Sequence, residues 1–181
     1  MTNDPQLEGE SIRLRPLSVG DATDMHEAAF ESAAELETTV PWFSRDMTLE
    51  SFSAWAAWAV DAWDRGEHYE LSIRSPDGTF LGAVGLGVDA ASKSANLQYW
   101  VRTTGTGRGA ASEAARIVSR WALQELGLQR VEIFIAEHNV PSQMAARKSG
   151  ARFEGLLRNK MRWEERAYDA HIFSFVPSDF A

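Results

Sequence analysis

The chain has no cysteine in its 181 residues, which excludes disulfides, thiolate metal ligands and cysteine nucleophiles. It also lacks any apolar run of about 18 residues, so no segment reads as a membrane-spanning helix. The opening Met1 to Glu10 is polar and acidic, without the basic and apolar regions of a secretory signal. Cytoplasm is the expected location, and no metal site is expected. Positive charge is in short supply, with 18 Lys and Arg against 26 Asp and Glu, a formal net charge of −8. That balance argues against nonspecific nucleic-acid binding, which needs a basic surface. It suits a cationic acceptor such as an amine or basic peptide, which a negative field attracts; solubility is the simpler use of the same charge.

What is present is ordinary for a globular chain, 44% hydrophobic and 24% charged residues, enough for one domain spanning residues 1–181 with its own core. There is no internal repeat, low-complexity tract or long linker. Ile12 and Leu14 alternate with Arg13 and Arg15, predicting a strand ended by Pro16. Ser18 to Glu31 carries Met25, Ala28 and Ala29 at helical spacing. Thr38 to Asp46, with Pro41, reads as a loop. Thr48 can cap a second helix that runs to about Arg65 and stops at Gly66. Tyr69, Leu71 and Ile73 alternate, Pro76-Asp77-Gly78 turns the chain, and Phe80 to Val88 returns it. A strand at Ser94 to Arg102 follows, then the glycine-rich segment Gly105 to Gly109 and a helix from Ala110 to Leu126, stopped by Gly127. Val131 to Ala136 is a short strand, Pro141 to Ser149 a short helix closed by Gly150. Arg152 to Trp163 and Ala167 to Val176 are the last two strands. A single helical crossover makes the strands before Gly105 and at Val131 parallel, and the others read as antiparallel. The fold class is therefore α+β, with a mixed sheet of six to seven strands flanked by helices.

Thr104-Gly105-Thr106-Gly107-Arg108-Gly109-Ala110-Ala111 joins a strand to a helix, and such a loop is built to receive an anion. Glycines let the backbone approach a phosphate without a Cβ clash. The first helix amides lack internal partners, and the helix dipole favours negative charge there. Arg108 can add a charge-assisted contact. Alone the loop also fits a plain tight turn. Gly105-x-Gly107-x-x-Ala110 matches a dinucleotide fingerprint as well, but Glu125 falls inside the helix and only one βαβ unit is present.

Tyr99-Trp100-Val101 leads into Gly107 to Ala114. Asn139-Val140-Pro141-Ser142 and Ala145 to Gly155 follow at the spacing of a second motif. Together these resemble the acyl-CoA-binding motifs of the GNAT superfamily. Ile12 to Pro16, Pro41-Trp42 and Tyr168 to Phe173 are similar to the Rim-type ribosomal-protein acetyltransferases, so the resemblance covers nearly the whole chain. It implies acetyl-CoA as co-substrate, an amine acceptor (a protein N-terminus or a small molecule) and a splayed parallel strand pair, and makes a homodimer plausible. It puts the CoA pyrophosphate on the amides of Gly107, Gly109 and Ala110 with Arg108 nearby. Main-chain groups of Trp100, Val101 and Arg102 would hold the pantetheine arm, as unpaired strand edges can. Thr104 stands where the family often has Gln or Arg.

The resemblance makes Ser142 the group that protonates the departing thiolate, and Asn139 a pantetheine contact. Asn139 also suits a helix N-cap, with Pro141 soon after. No base is assigned: Met161 and Asn96 stand where relatives can have acids. Glu132, His138, Glu164, Glu165 and Asp169 are substitutes, and Glu164-Glu165-Arg166 also suits a solvated turn. An α-amine is roughly a tenth neutral at pH 7 without help. Trp55 and Trp58, with Phe52 and Trp63 near, share one helix face and suit either an acceptor pocket or packing. Two other readings follow: a non-catalytic acyl-CoA-binding module, from the missing acids, and a nicotinamide enzyme, from the fingerprint.

Overall fold

A computed structural model describes residue 5 and residues 7–163 and 166–181, except for the side chain of Trp163. Glu164 and Glu165 lie outside the described residues. The strands are β1 (Leu7–Glu8), β2 (Arg13–Pro16), β3 (His68–Arg74), β4 (Phe80–Asp89), β5 (Ser94–Val101), β6 (Arg130–Ala136), β7 (Arg152–Trp163) and β8 (Arg166–Phe175). The helices are α1 (Ala22–Glu31), α2 (Ala33–Thr39), α3 (Leu49–Asp64), α4 (Ala110–Gln124) and α5 (Val140–Ser149). The eight strands form one sheet in the order β1-β2-β3-β4-β5-β6-β8-β7. The α+β class with one parallel pair is as the sequence implies. The additional strand is β1, whose two residues pair with Arg13 and Leu14 and are too short to alternate visibly.

Local chemistry explains the element ends. Thr48 Oγ1 accepts from the Ser51 amide at 3.3 Å, and Ser51 Oγ accepts from the Thr48 amide at 3.2 Å, a capping box that starts α3. Gly127 and Gly150 end their helices at φ of 69° and 93°, the left-handed conformation that costs a residue with a Cβ about 1 kcal/mol or more. Residues 33–39 form a helix that the sequence reading does not assign, and Thr38 and Thr39 of the expected loop belong to it: Ala33 and Leu36 are buried and Ser32 Oγ donates to the Ala28 carbonyl at 2.8 Å, so the chain turns once and continues as α2.

Each sheet face carries its own core. On one, Ala110, Ala114, Val118 and Ala122 of α4 recur every four residues, all buried. Their small side chains let α4 lie close against Leu71, Val84, Leu97 and Val131. On the other, α1, α2 and α3 pack over Ala83 and Trp100 around Phe52. The parallel pairing of β5 with β6 runs only from Ser94↔Arg130 to Asn96↔Glu132. Beyond it the two strands part, and this gap positions the site.

Candidate active site

One cavity of about 880 Å³ occupies the gap between β5 and β6. Five consecutive residues of β5, Asn96 to Trp100, and four of β6, Ile133 to Ala136, line it. Consecutive strand residues point to opposite faces, so the cavity borders residues of β5 that belong to both faces of the sheet. Ser142 and Asn139 of the α5 segment line it, as do Trp42, Trp55, Trp58, His68 and Glu70.

The free β5 edge follows from register. The Arg102 amide donates to the Leu81 carbonyl at 2.7 Å, and the Arg102 carbonyl accepts from Gly105 at 2.8 Å. A Cβ on Gly82 of β4 would stand 2.0 Å from the Trp100 carbonyl oxygen. The main chains of residues 100 and 102 therefore face β4, and by alternation Leu97, Tyr99 and Val101 present theirs to the gap. Of the three residues expected to offer main-chain groups, Val101 does so, whereas Trp100 and Arg102 are turned away. Trp100 contributes its ring, 5.9 Å from that of Trp42. Arg102 contributes its guanidinium, whose Nε donates to Glu31 Oε2 at 2.9 Å.

That contact belongs to a clamp under the glycine loop. Glu31 Oε1 accepts from the Thr104 amide at 3.0 Å and from Thr104 Oγ1 at 2.8 Å. The Thr103 amide donates to Ser32 Oγ at 2.9 Å. Chiefly the Arg102 hydrogen bond, then the Thr104 amide, hold the Glu31 carboxyl down at about 2. Thr104 thus ties the loop to α1. The loop itself fits an anionic group: Gly107 has φ 76° with open space where a Cβ would stand, and Gly109, φ 90°, caps α4 with no side-chain cap bond. The first amides of α4 therefore point outward. Arg108 is exposed beside them. Lys148, which sequence reasoning passed over, brings Nζ to 3.5 Å from the Cβ position of Gly109.

Asn139 caps α5, Oδ1 accepting from the Ser142 amide at 3.2 Å. Ser142 Oγ donates to the Tyr99 hydroxyl at 3.2 Å, and Tyr99 donates to the Ser142 carbonyl at 2.9 Å. Burial pushes the Tyr99 phenol up to about 12, so it stays protonated at neutral pH. Tyr99 was also missed, because its partner lies on a distant helix.

Met161 and Asn96 do line the cavity. Of the substitute bases, Glu132 accepts from Arg130 Nε at 2.7 Å, His138 Nε2 donates to the Thr38 carbonyl at 2.9 Å, and Asp169 accepts from the Asn159 amide at 2.8 Å. None of these three is among the cavity's described lining residues, and Glu164 and Glu165 fall outside the description. The titratable pair that does line the cavity is His68 with Glu70, Nε2 to Oε2 2.6 Å. Their spacing of two along a β3 strand was the available signal. Phe52 is buried and forms part of the cavity wall, whereas Trp63 stacks on Trp121 and is not among the described lining residues.

Comparison with known proteins agrees with this geometry. The family model described as "Acetyltransferase (GNAT) domain" matches residues 11–152. A relative from Bacillus subtilis strain 168, described as "Probable N-acetyltransferase YjcK", is 27% identical over 167 residues, 88% of this chain and 92% of the relative. RimJ of Mycobacterium smegmatis, solved with CoA-disulfide, superposes with a TM-score of 0.83 at 23% identity, covering 93% of this chain and 83% of that one. A ribosomal-protein-S5-alanine acetyltransferase from Vibrio fischeri superposes with a TM-score of 0.86 at 16% identity, covering 98% and 100%. With a family model that spans most of its length, this chain belongs to the GNAT acetyltransferase family.

Proposed function

We propose that the chain transfers an acetyl group from acetyl-CoA to a primary amine by direct attack in a ternary complex. The observation that carries this is the cavity itself, which lies where β5 and β6 part and is walled by both strands, by Asn139 and Ser142, and by the indoles of Trp42, Trp55 and Trp58. On the α4 side the pyrophosphate lies against the amides of Gly107, Gly109 and Ala110, with Arg108 and Lys148 adding positive charge. The pantetheine arm pairs with the open edge at Tyr99 and Val101, and Asn139 borders it. The thioester then lies near Ser142 and Tyr99.

Attack by a neutral amine forms the C–N bond and breaks the C–S bond, leaving a thiolate that needs a proton. Ser142 Oγ supplies it at short range, and the buried Tyr99 phenol, the stronger acid of the two hydroxyls, stands behind it to restore it. The acceptor enters from the opposite side, between the indoles of Trp42, Trp55 and Trp58, which are 40%, 40% and 42% exposed. Large apolar side chains left exposed around one opening mark a recognition surface, and an indole face attracts an ammonium. The net charge of −8 favours the same cationic class. Protein N-termini, since a similar acetyltransferase from Salmonella typhimurium modifies the N-terminal serine of a ribosomal protein, and small amines are the acceptor classes.

Titration with acetyl-CoA, followed by thiol release against a panel of amines and N-terminal peptides, tests the reading. Saturable binding with turnover supports it. Binding with no turnover on any acceptor favours a non-catalytic acyl-CoA-binding module.

A further inference from the structure

β4 carries glycine at 85 and 87, both on the cavity face. Register puts Glu70 of β3 opposite Gly85, and His68 opposite Gly87. On the other side Gly87 pairs with Asn96 of β5. Two glycines in one strand weaken it, and here the missing side chains leave a trough. A Cβ on Gly85 would stand 2.3 Å from Glu70 Oε2 and 3.0 Å from His68 Nε2. A Cβ on Gly87 would stand 3.6 Å from His68 Nδ1. The imidazole therefore lies along the trough, with Nε2 on Glu70 and Nδ1 toward Gly87. The rings of Trp58 and Trp55 cover it at 5.1 and 6.0 Å. Across the trough Asn96, whose backbone lies two strand spacings, about 10 Å, from that of His68, brings a buried Oδ1 toward Gly87 between them, with no protein partner among the described residues. Asn96 is also the last β5 residue paired with β6, so the trough ends where the gap begins.

We propose that this trough is the seat of the acceptor amine and that His68, oriented by Glu70, is the base that deprotonates it. The inference rests on the acetyltransferase reading above. Glu70, only 7% exposed, accepts from Nε2–H and fixes the tautomer that leaves the Nδ1 lone pair over Gly87. Asn96 Oδ1 accepts a second N–H and orients the amine, although it can take no proton. The ammonium gives one proton to Nδ1. The neutral nitrogen then attacks the thioester carbonyl, the C–N bond forms, and the C–S bond breaks. The second N–H proton of the adduct balances the one that ends on the CoA sulfur through Ser142 and Tyr99, and His68 returns its own to solvent. No oxidant or other reactant is needed. The pair fills the place left open by Met161 and Asn96. The other titratable groups around the same cavity are Tyr99 of β5 and Lys160 of β7, whose Nζ sits over the Phe134 ring at 4.2 Å; α3 and β4 contribute no charged residue to its described lining, and Trp55 and Trp58 lie against the imidazole.

The test compares His68→Gln, Glu70→Gln and the double variant with the wild type across pH 6 to 10. The amines are one fully protonated at neutral pH and one whose own pKa lies below 6. Acetyl-CoA affinity, measured on each variant, reports folding and the transferase reading separately from the proposal. With the protonated amine near pH 7, each single variant should lose ~100-fold in kcat/KM, and the double variant no more than the worse single, because the two act as a unit. The loss should shrink as pH rises through the amine's pKa, and nearly vanish for the weakly basic amine. A loss equal for both amines and constant with pH, or no loss at all, would overturn the assignment; absent acetyl-CoA binding by the wild type would instead overturn the transferase reading.

Discussion

Tyr99 and Ser142 hold one another across the strand gap: the phenol donates to the Ser142 carbonyl at 2.9 Å and receives the Ser142 hydroxyl at 3.2 Å. Forty-three residues apart in sequence, they fix α5 against β5 where that strand leaves β6. In the proposed reaction the two hydroxyls serve as a short proton path, and burial keeps the phenol protonated.

Removing the proton donor should therefore slow chemistry and spare binding. Ser142→Ala is expected to lower kcat about 100-fold with acetyl-CoA affinity changed by less than threefold. Tyr99→Phe keeps the ring and should lower kcat about tenfold. Steady-state kinetics beside calorimetric titration separates the two effects; a large loss of affinity with kcat intact would mean that the hydroxyls serve binding alone.

Gly109 must keep φ 90° to bring the α4 amides to the front of the loop. Gly109→Ala strains that conformation by about 1–2 kcal/mol and pushes toward Lys148 Nζ. The expected outcome is a roughly tenfold weaker Kd for acetyl-CoA. Lys148→Met should weaken Kd by several-fold and flatten its salt dependence, because it removes a screened charge contact. Titrations at low and high salt distinguish the two variants.

Glu31 sets a pH limit on the loop. Its carboxyl is lowered to about 2 by Arg102 and Thr104, against about 4.5 when unfolded. A depressed folded value means that the contribution is complete above about pH 4.5 and is lost as pH falls through the folded value near 2. Partial exposure and salt keep it small. Wild type should melt higher than Glu31→Gln at pH 6, and the gap should close between about pH 4.5 and 2. A constant gap would show that the clamp acts by shape alone.

The acceptor side separates from the cofactor side by substitution. Trp55→Ala removes part of the indole wall over His68 and should raise KM for the amine several-fold, leaving KM for acetyl-CoA unchanged. Gly85→Ala aims a methyl at Glu70 Oε2, and the same split is expected, with kcat falling as well. Two-substrate kinetics reads both.

What the sequence revealed is what local chemistry decides. Thr48 and Gly66 bracket α3, and Gly107 to Ala110 announce a strand-to-helix anion loop, because capping and positive φ are properties of a few neighbouring residues. The single helical crossover at 110–126 was enough to make β5 and β6 parallel. Less legible were features that depend on distant partners. α2 has only Ala33 and Leu36 to bury, and it ends in Thr38 and Thr39, which with Pro41 close behind read as the start of a loop. Trp100 and Arg102 sit in the expected strand, but which edge their main chains face depends on their register against Ala83 and Leu81 of β4. The His68–Glu70 pair becomes a site only when Gly85, Gly87, Trp55 and Trp58, from two other elements, close around it. Tyr99 likewise gains its role from Ser142.

The central claim is that the gap between β5 and β6, headed by the glycine loop, seats acetyl-CoA. Calorimetric titration of the wild-type chain with acetyl-CoA addresses it most directly. The expected result is a single saturable site per chain with micromolar affinity, weakened by Gly109→Ala. No binding up to millimolar acetyl-CoA, or binding indifferent to Gly109, would contradict it.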